Sequence, residues 1–295
     1  MFRVAFLGVE NSHTDTFLKY ILVDKIYTDI EVVGVYTDDE SANQRMSEKF
    51  GVYIAKSYDE FVGKVDGVVI TARHGKNHLK YARPYLESGV PMFIDKPITA
   101  SEEDAVELVR LAKKYGVKLT GGSSCIHIAK LVELKAIAEK TEQGKLFGGF
   151  LRAPVQMVNN YGNFWFYSQH LVQMMQEIFG YYPKSVHAHT AGLATGVVVK
   201  YEGFDVYLSF VDQDYSYYLS VSAAGGVSGS VVEVKSDVFE TEFRLFYDLL
   251  CGAEQPQSMR DFISPVFVIS AIERSLASGK EEAVNSVPIE EELNG

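Results

Sequence analysis

Lys96 is the residue whose type and setting most favour chemistry in this sequence. It follows the apolar run Pro91-Met-Phe-Ile-Asp95 and precedes Pro97. It therefore leaves the carboxyl end of a strand, the edge at which open α/β sheets receive ligands. An amine held there can hydrogen-bond a hydroxyl and move its proton, once burial or a nearby cation lowers its pKa toward the working range. The Lys96-Pro97 bond is a candidate cis bond, because that isomer is at home in tight turns. Asp95 is placed to orient the amine. Seven histidines add groups that change charge near neutral pH. His13, His74 and His127 are expected just beyond strand ends, and His170 on a helix of a second lobe, with Cys125 and Asp95 close by. Such a set could line a polar cleft or hold zinc. It lacks the tight ligand spacing of a metal motif, and no metal site is assigned. Arg73 and Lys76, in one loop, suit an acidic group or a phosphate. His187 and His189 alternate along a strand and so share one sheet face.

The elements that position these residues alternate in the first third of the chain. Strands are expected at Arg3 to Gly8, Glu31 to Tyr36, Val65 to Thr71, Pro91 to Asp95 and Val117 to Thr120. Helices are expected at Thr14 to Asp24, Ser41 to Phe50, Lys76 to Ser88 and Ser101 to Tyr115. Gly51 suits a helix C-cap, and Ser101-Glu-Glu-Asp an N-cap with acids in the first turn. Repeated units of this length predict an α/β domain, a doubly wound parallel sheet with helices on both faces.

The pattern changes after Gly121-Gly122. A helix at Ile128 to Lys140 is followed mostly by strands, at Gly149 to Val158, Ser185 to Thr190, Gly196 to Tyr201, Asp205 to Phe210, Tyr217 to Ala223 and Ser228 to Val234. Glu202-Gly203 marks a hairpin. Helices are expected at Trp165 to Phe179, Glu240 to Leu250 and Ser264 to Ser278. The second half reads as an α+β domain with a mostly antiparallel open sheet and helices on one face. The division falls at residues 1–121 and 122–295.

The 295 residues carry a formal charge of -11, with 47% hydrophobic and 23% charged residues. That composition is globular, and the acidic balance argues against nucleic acid or an anionic membrane as partner. No apolar run is long enough to span a bilayer, and the N-terminus lacks the pattern of a secretory signal. Two cysteines without a C-x-x-C motif fit a reducing cytoplasm.

The order and spacing of several segments carry a resemblance: Val65-Asp-Gly-Val-Val-Ile70, then His78, Leu86-Glu-Ser-Gly89 and Phe93-Ile-Asp-Lys-Pro97. Asp39 to Gly51, Phe239 to Gly252 and Phe262 to Gly279 fit in the same register. In these the chain resembles the glucose-fructose oxidoreductase / inositol dehydrogenase / MocA-type oxidoreductases over nearly its full length. The resemblance implies a Rossmann-type domain binding NAD or NADP. It also implies a second domain carrying a small polyol, sugar or cyclitol substrate and a homodimer or homotetramer interface on its sheet. It gives Lys96 the proton-transfer role, with His170 as a second acid or base. It places cofactor contacts at Gly8, Glu10, Asn11, Ser12 and His13 after the first strand and at Thr37 and Asp38 after the second. Further contacts fall at Thr71, Arg73, His74 and His78 after the third strand, and at Asp95, Lys96 and Pro97 after the fourth.

The departures are specific. Where the family has G-x-G-x-x-G, this chain has Gly8-Val-Glu-Asn-Ser-His13. Glu10 and His13 replace glycines that allow backbone approach to pyrophosphate and close helix packing. Thr37 stands where NAD users often have Asp, with Asp38 one residue later. Asp95 replaces a usual Glu, and Phe166 an Asp four residues before His170. Two other readings stay open: a family member without redox activity that binds a ligand or regulates, and a metal-assisted lyase or isomerase using the histidines.

Overall fold

The protein is described by a computed structural model covering residues 1–289. Its first sheet has five parallel strands in the order β2-β1-β3-β4-β5. These are β1 (Phe2–Leu7), β2 (Ile30–Tyr36), β3 (Gly67–Ile70), β4 (Met92–Asp95) and β5 (Leu119–Gly122). Helices α1 (Ser12–Leu18), α2 (Glu40–Phe50), α3 (Lys76–Leu86) and α4 (Glu102–Lys114) alternate with them. This is the expected Rossmann-type sheet, and its strand order reverses between β1 and β3, the place where such sheets bind ligands. The helix ends follow the sequence signals. Ser101 Oγ accepts the N–H of Asp104, and Gly51 takes a left-handed φ of 65° after α2. The helix expected through Asp24 narrows to α1 and continues as a π-helical turn, Lys19–Val23.

The second sheet has seven strands in the order β11-β10-β6-β9-β8-β7-β12. They are β6 (Leu146–Val155), β7 (Ser185–Ala191), β8 (Ala194–Lys200), β9 (Asp205–Asp212), β10 (Tyr217–Ala223), β11 (Gly226–Val232) and β12 (Glu282–Ala283). Every pairing is antiparallel except β6 with β9. The expected hairpin across Glu202-Gly203 is the β8–β9 pair. Alternation is strict on β9, where Val206, Leu208 and Phe210 are buried and Tyr207 is exposed. Helices α5 (Ala129–Lys140) and α6 (Trp165–Phe179) pack on each other and on the buried face of this sheet.

The chain separates into two compact units, and the division is not a single cut. The first unit holds Met1–Gly122, Phe239–Phe262 and, of the described residues, Pro288 and Ile289, and the second Ser123–Val238 and Ile263–Val287. The expected second domain, 122–295, thus gives up most of helix α7 (Asp237–Leu250) to the first unit, while the final helix α8 (Met259–Ser278) lies mostly in the second. The last six residues of the expected span, 290–295, lie outside the described residues. The reason is an apolar stripe on α7. Phe239, Phe243, Phe246 and Leu250 fall at helical spacing and join the core of Val4, Phe6, Phe17, Val69 and Phe93. Phe243 lies 4.9 Å from the Phe17 ring and 5.0 Å from that of Tyr27, centroid to centroid.

Truncating Phe243 to Ala should therefore destabilise the first unit by about 3–5 kcal/mol, the usual cost of emptying a buried phenylalanine site. Urea unfolding followed by fluorescence measures it; a loss below about 1 kcal/mol would show that α7 is not part of that core.

Candidate active site

Asp95 ends β4, and none of its surface reaches solvent. A carboxylate so placed must be well bonded or lose its charge. Its Oδ1 accepts the backbone N–H of Lys96 at 2.7 Å. Its Oδ2 accepts from Asn11 Nδ2 at 2.8 Å and lies 2.9 Å from His13 Nδ1. Burial pushes the Asp95 carboxyl up, but His13, through charge and hydrogen bond, together with Lys96 holds it below its ordinary value. Asn11 is also the N-cap of α1, its Oδ1 accepting the N–H of His13 at 3.2 Å. The two ends of one amide thus join the first turn of α1 to the end of β4.

Lys96 is 3% exposed, and its bond to Pro97 is cis, as the sequence suggested. Asp95 fixes the lysine's backbone. Beside them lies a residue the motif reading missed. Glu242, on α7, is 1% exposed, and neither carboxyl oxygen meets a hydrogen-bond donor among the described residues. Burial raises its pKa well above the ordinary value, the Asp95 charge raises it further, and Lys96 opposes both. The signal was present in the sequence: Phe239, Glu242, Phe243 and Phe246 share one helix face, and a lone acid on a buried face is rarely idle. The ring of Phe239 packs 4.9 Å from that of His13, so the histidine in the last glycine position serves as a packing surface for α7.

A second group forms over β1. Gly8 has φ 77°, and a Cβ there would come within 2.4 Å of Ala72 Cα, so only glycine fits. Thr71 Oγ1 donates to the Gly8 carbonyl at 3.1 Å, and Thr14 and Thr71 hydroxyls lie 2.6 Å apart. Glu10 reaches sideways. Its Oε2 accepts from Thr37 Oγ1 at 2.6 Å and its Oε1 from the N–H of Arg73 at 2.9 Å. Asp38 is exposed and accepts from the hydroxyls of Tyr36 and Tyr81, with Lys80 Nζ at 3.4 Å. The Tyr36 hydroxyl in particular holds the Asp38 carboxyl below its ordinary value.

The remaining candidates take scaffold or rim positions. His78 is fully buried, its Nε2 2.7 Å from the Ala72 carbonyl and its Nδ1 3.2 Å from that of Ile98. Burial depresses its pKa against the pull of both carbonyls, and the ring lies between two loops. His74 is half-buried and accepts the N–H of Lys76, and burial lowers its pKa too. Ser12 is exposed at the start of α1, and Pro97 is buried.

In the second unit, His170 is 6% exposed on α6. Its Nδ1 shares a 2.7 Å hydrogen bond with Ser123 Oγ, and the N–H of Ser123 donates to Gln173 Oε1 at 2.9 Å. Ser123 and Gln173 were not singled out from sequence: a Ser 47 positions before its His offers no local spacing to read. Phe166 packs on Tyr161 and Tyr167, and Cys125 is buried. Among the described residues no group of three or more His, Cys, Asp or Glu is placed to hold a metal ion.

Comparison with known proteins bears on this arrangement. Residues 2–123 match the profile of an oxidoreductase family with an NAD-binding Rossmann fold, GFO_IDH_MocA. Over 117 residues the chain is 27% identical to the uncharacterised oxidoreductase YhhX of Escherichia coli (strain K12), a match covering 39% of this chain and 33% of that protein. The chain thus matches about a third of its curated relative's length. Two solved structures share the whole fold. Myo-inositol 2-dehydrogenase from Lactobacillus plantarum superposes with a TM-score of 0.82 at 14% identity, covering 96% of this chain and 99% of that one. GenD2 from gentamicin A biosynthesis, solved in complex with NAD, gives 0.81 at 15% identity, covering 97% of each.

The raised Glu242 carboxyl has a pH signature. A group that binds its proton more tightly in the folded state stabilises fully below its unfolded pKa. That stability is lost as pH rises toward the folded value. Glu242→Gln keeps the shape and removes the titration. The variant should gain on the wild type as pH climbs from about 4 toward 8. Melting curves of both proteins across that range check it, and parallel pH profiles would show that Glu242 does not titrate with folding.

Proposed function

We propose that this chain, whose residues 2–123 match the profile of an oxidoreductase family with an NAD-binding Rossmann fold, is a nicotinamide-dependent dehydrogenase of a sugar, cyclitol or related polyol. One observation carries the reading: a lysine almost wholly buried at the carboxyl end of β4, its backbone fixed by a charged Asp95. A dinucleotide suits the rim of the first sheet on the evidence of Gly8, where backbone meets backbone with no space for a Cβ, and of the strand reversal beside it. The residues that would hold it are Gly8 to His13, Thr37, Thr71, Arg73, His74 and Pro97. When bound, it supplies the hydride acceptor or donor.

The protein's own part is proton transfer and orientation. Lys96 hydrogen-bonds the substrate hydroxyl and exchanges its proton. Low exposure and the Asp95 bond to its backbone N–H set where the side chain leaves the strand. His170, held by Ser123, is the second proton carrier. The relatives that are inositol dehydrogenases by name favour a ring polyol as substrate. The two cysteines form no disulfide, and no described helix is long and apolar enough to cross a membrane; these fit a cytoplasmic enzyme. The face of the second sheet that carries Tyr207, His187, His189 and Phe150 is exposed and lines a hollow of about 600 Å³. Self-association into a homodimer or tetramer is assigned to this face.

Replacing Lys96 with Met should lower kcat by about 10²–10⁴-fold while leaving the dinucleotide Kd within a few-fold. Stopped assays on inositols and aldoses, with parallel fluorescence titration, test this; equal loss of both would remove Lys96 from the chemistry. For the assembly, Tyr207→Glu should convert the sedimenting species to monomer without loss of helix content. A wild type already monomeric at tens of micromolar would end that assignment.

A further inference from the structure

Strand β2 ends without the acid that commonly receives the adenosine ribose of a bound dinucleotide, since Thr37 occupies the place. The nearest acid in sequence, Asp38, does not take over. It is exposed and already holds the hydroxyls of Tyr36 and Tyr81, with Lys80 beside it.

A carboxylate nevertheless stands at the end of β2, and it comes from a different element. Glu10, in the turn after β1, crosses to Thr37, whose hydroxyl donates to Oε2 at 2.6 Å. The N–H of Arg73, after β3, fixes the other oxygen at 2.9 Å. Two donors from two loops hold the side chain in one pose. A carboxylate offers about four acceptor positions, so capacity for two further hydroxyl donors remains. Both cations on α2 are engaged elsewhere, Arg45 by the Val9 carbonyl at 3.1 Å and by Asp15 at 3.3 Å, and Lys49 by Asp15 at 2.7 Å.

From these contacts we propose that Glu10 replaces the missing β2 acid: it receives the adenosine ribose hydroxyls and selects NAD(H) over NADP(H). The inference rests on the dinucleotide reading above. A 2′-phosphate brought to the same spot would meet a fixed negative charge, while a 2′-hydroxyl would meet an acceptor. On this account the glutamate in the second glycine position is a specificity-determining residue, and its charge is directed at Thr37 and Arg73 rather than at the capped start of α1.

Direct binding tests it without any turnover. NADH, NADPH and 2′-deoxy-NADH are titrated into wild type, Glu10→Gln and Glu10→Ala, following nicotinamide fluorescence, with calorimetry as a check. Expected is at least ten-fold tighter binding of NADH than of NADPH or the deoxy analogue by wild type, narrowing to within about three-fold in Glu10→Gln. If a variant misfolds, the wild-type ranking of the three ligands still decides. Wild type binding NADPH as tightly as NADH, or an unchanged ratio in Glu10→Gln, overturns the inference and leaves the dinucleotide reading standing. Binding by Glu10→Ala alone would make Glu10 a plug and overturn both. Binding by none of the three proteins removes the dinucleotide reading, and this inference with it.

Discussion

A carboxylate cannot be taken wholly out of water unless other groups replace the water's hydrogen bonds, and Asp95 has been taken wholly out of water. The rest of the first unit's working edge is arranged around that demand. Asn11 and His13 converge on one oxygen, the Lys96 N–H on the other. These contacts join the turn after β1 to the end of β4 across the sheet, and they fix the backbone from which Lys96 projects. The altered glycine motif becomes intelligible in these terms. Asn11 spends its amide on a cap and on Asp95. His13 gives up the close packing a glycine would permit and instead offers its ring to Phe239 on α7.

That solution brings a second acid into the same low-dielectric region. Asp95 is held below its ordinary pKa by bonded partners, whereas Glu242 is raised by burial and by Asp95 itself. Two carboxyls in one environment with opposite displacements are a frequent mark of functional chemistry. Glu242 rides on the aromatic stripe that joins α7 to the core of the first unit. The electrostatic surroundings of Lys96 are thus set by one residue beside it in sequence and another nearly 150 positions away.

The second unit meets a different constraint with simpler means. Its open sheet buries alternate residues under α5 and α6 and leaves the intervening ones to solvent, so one period-two pattern serves both a core and an exposed face. On α6, Gln169, His170 and Gln173 are tied to each other or to Ser123 after β5. Gln173 takes the N–H of Ser123, and Ser123 takes His170. A histidine in such a chain has a defined ring orientation.

The local order of the molecule was written in its sequence. The strand-helix alternation of the first sheet, the Gly51 and Ser101 caps, helix Trp165–Phe179 and the turn at Lys96-Pro97 all follow from periodicity and backbone stereochemistry, which act over a few residues. Tertiary structure alone decided that α7 joins the first unit, that Glu242 neighbours Asp95, that Glu10 crosses to Thr37, and that Ser123 steadies His170. Hydrophobic spacing announces that a face will be buried but not what will cover it. A polar side chain announces that it needs a partner but not which distant loop supplies one. Those choices are made only when chain segments far apart in sequence are brought into van der Waals and hydrogen-bonding range.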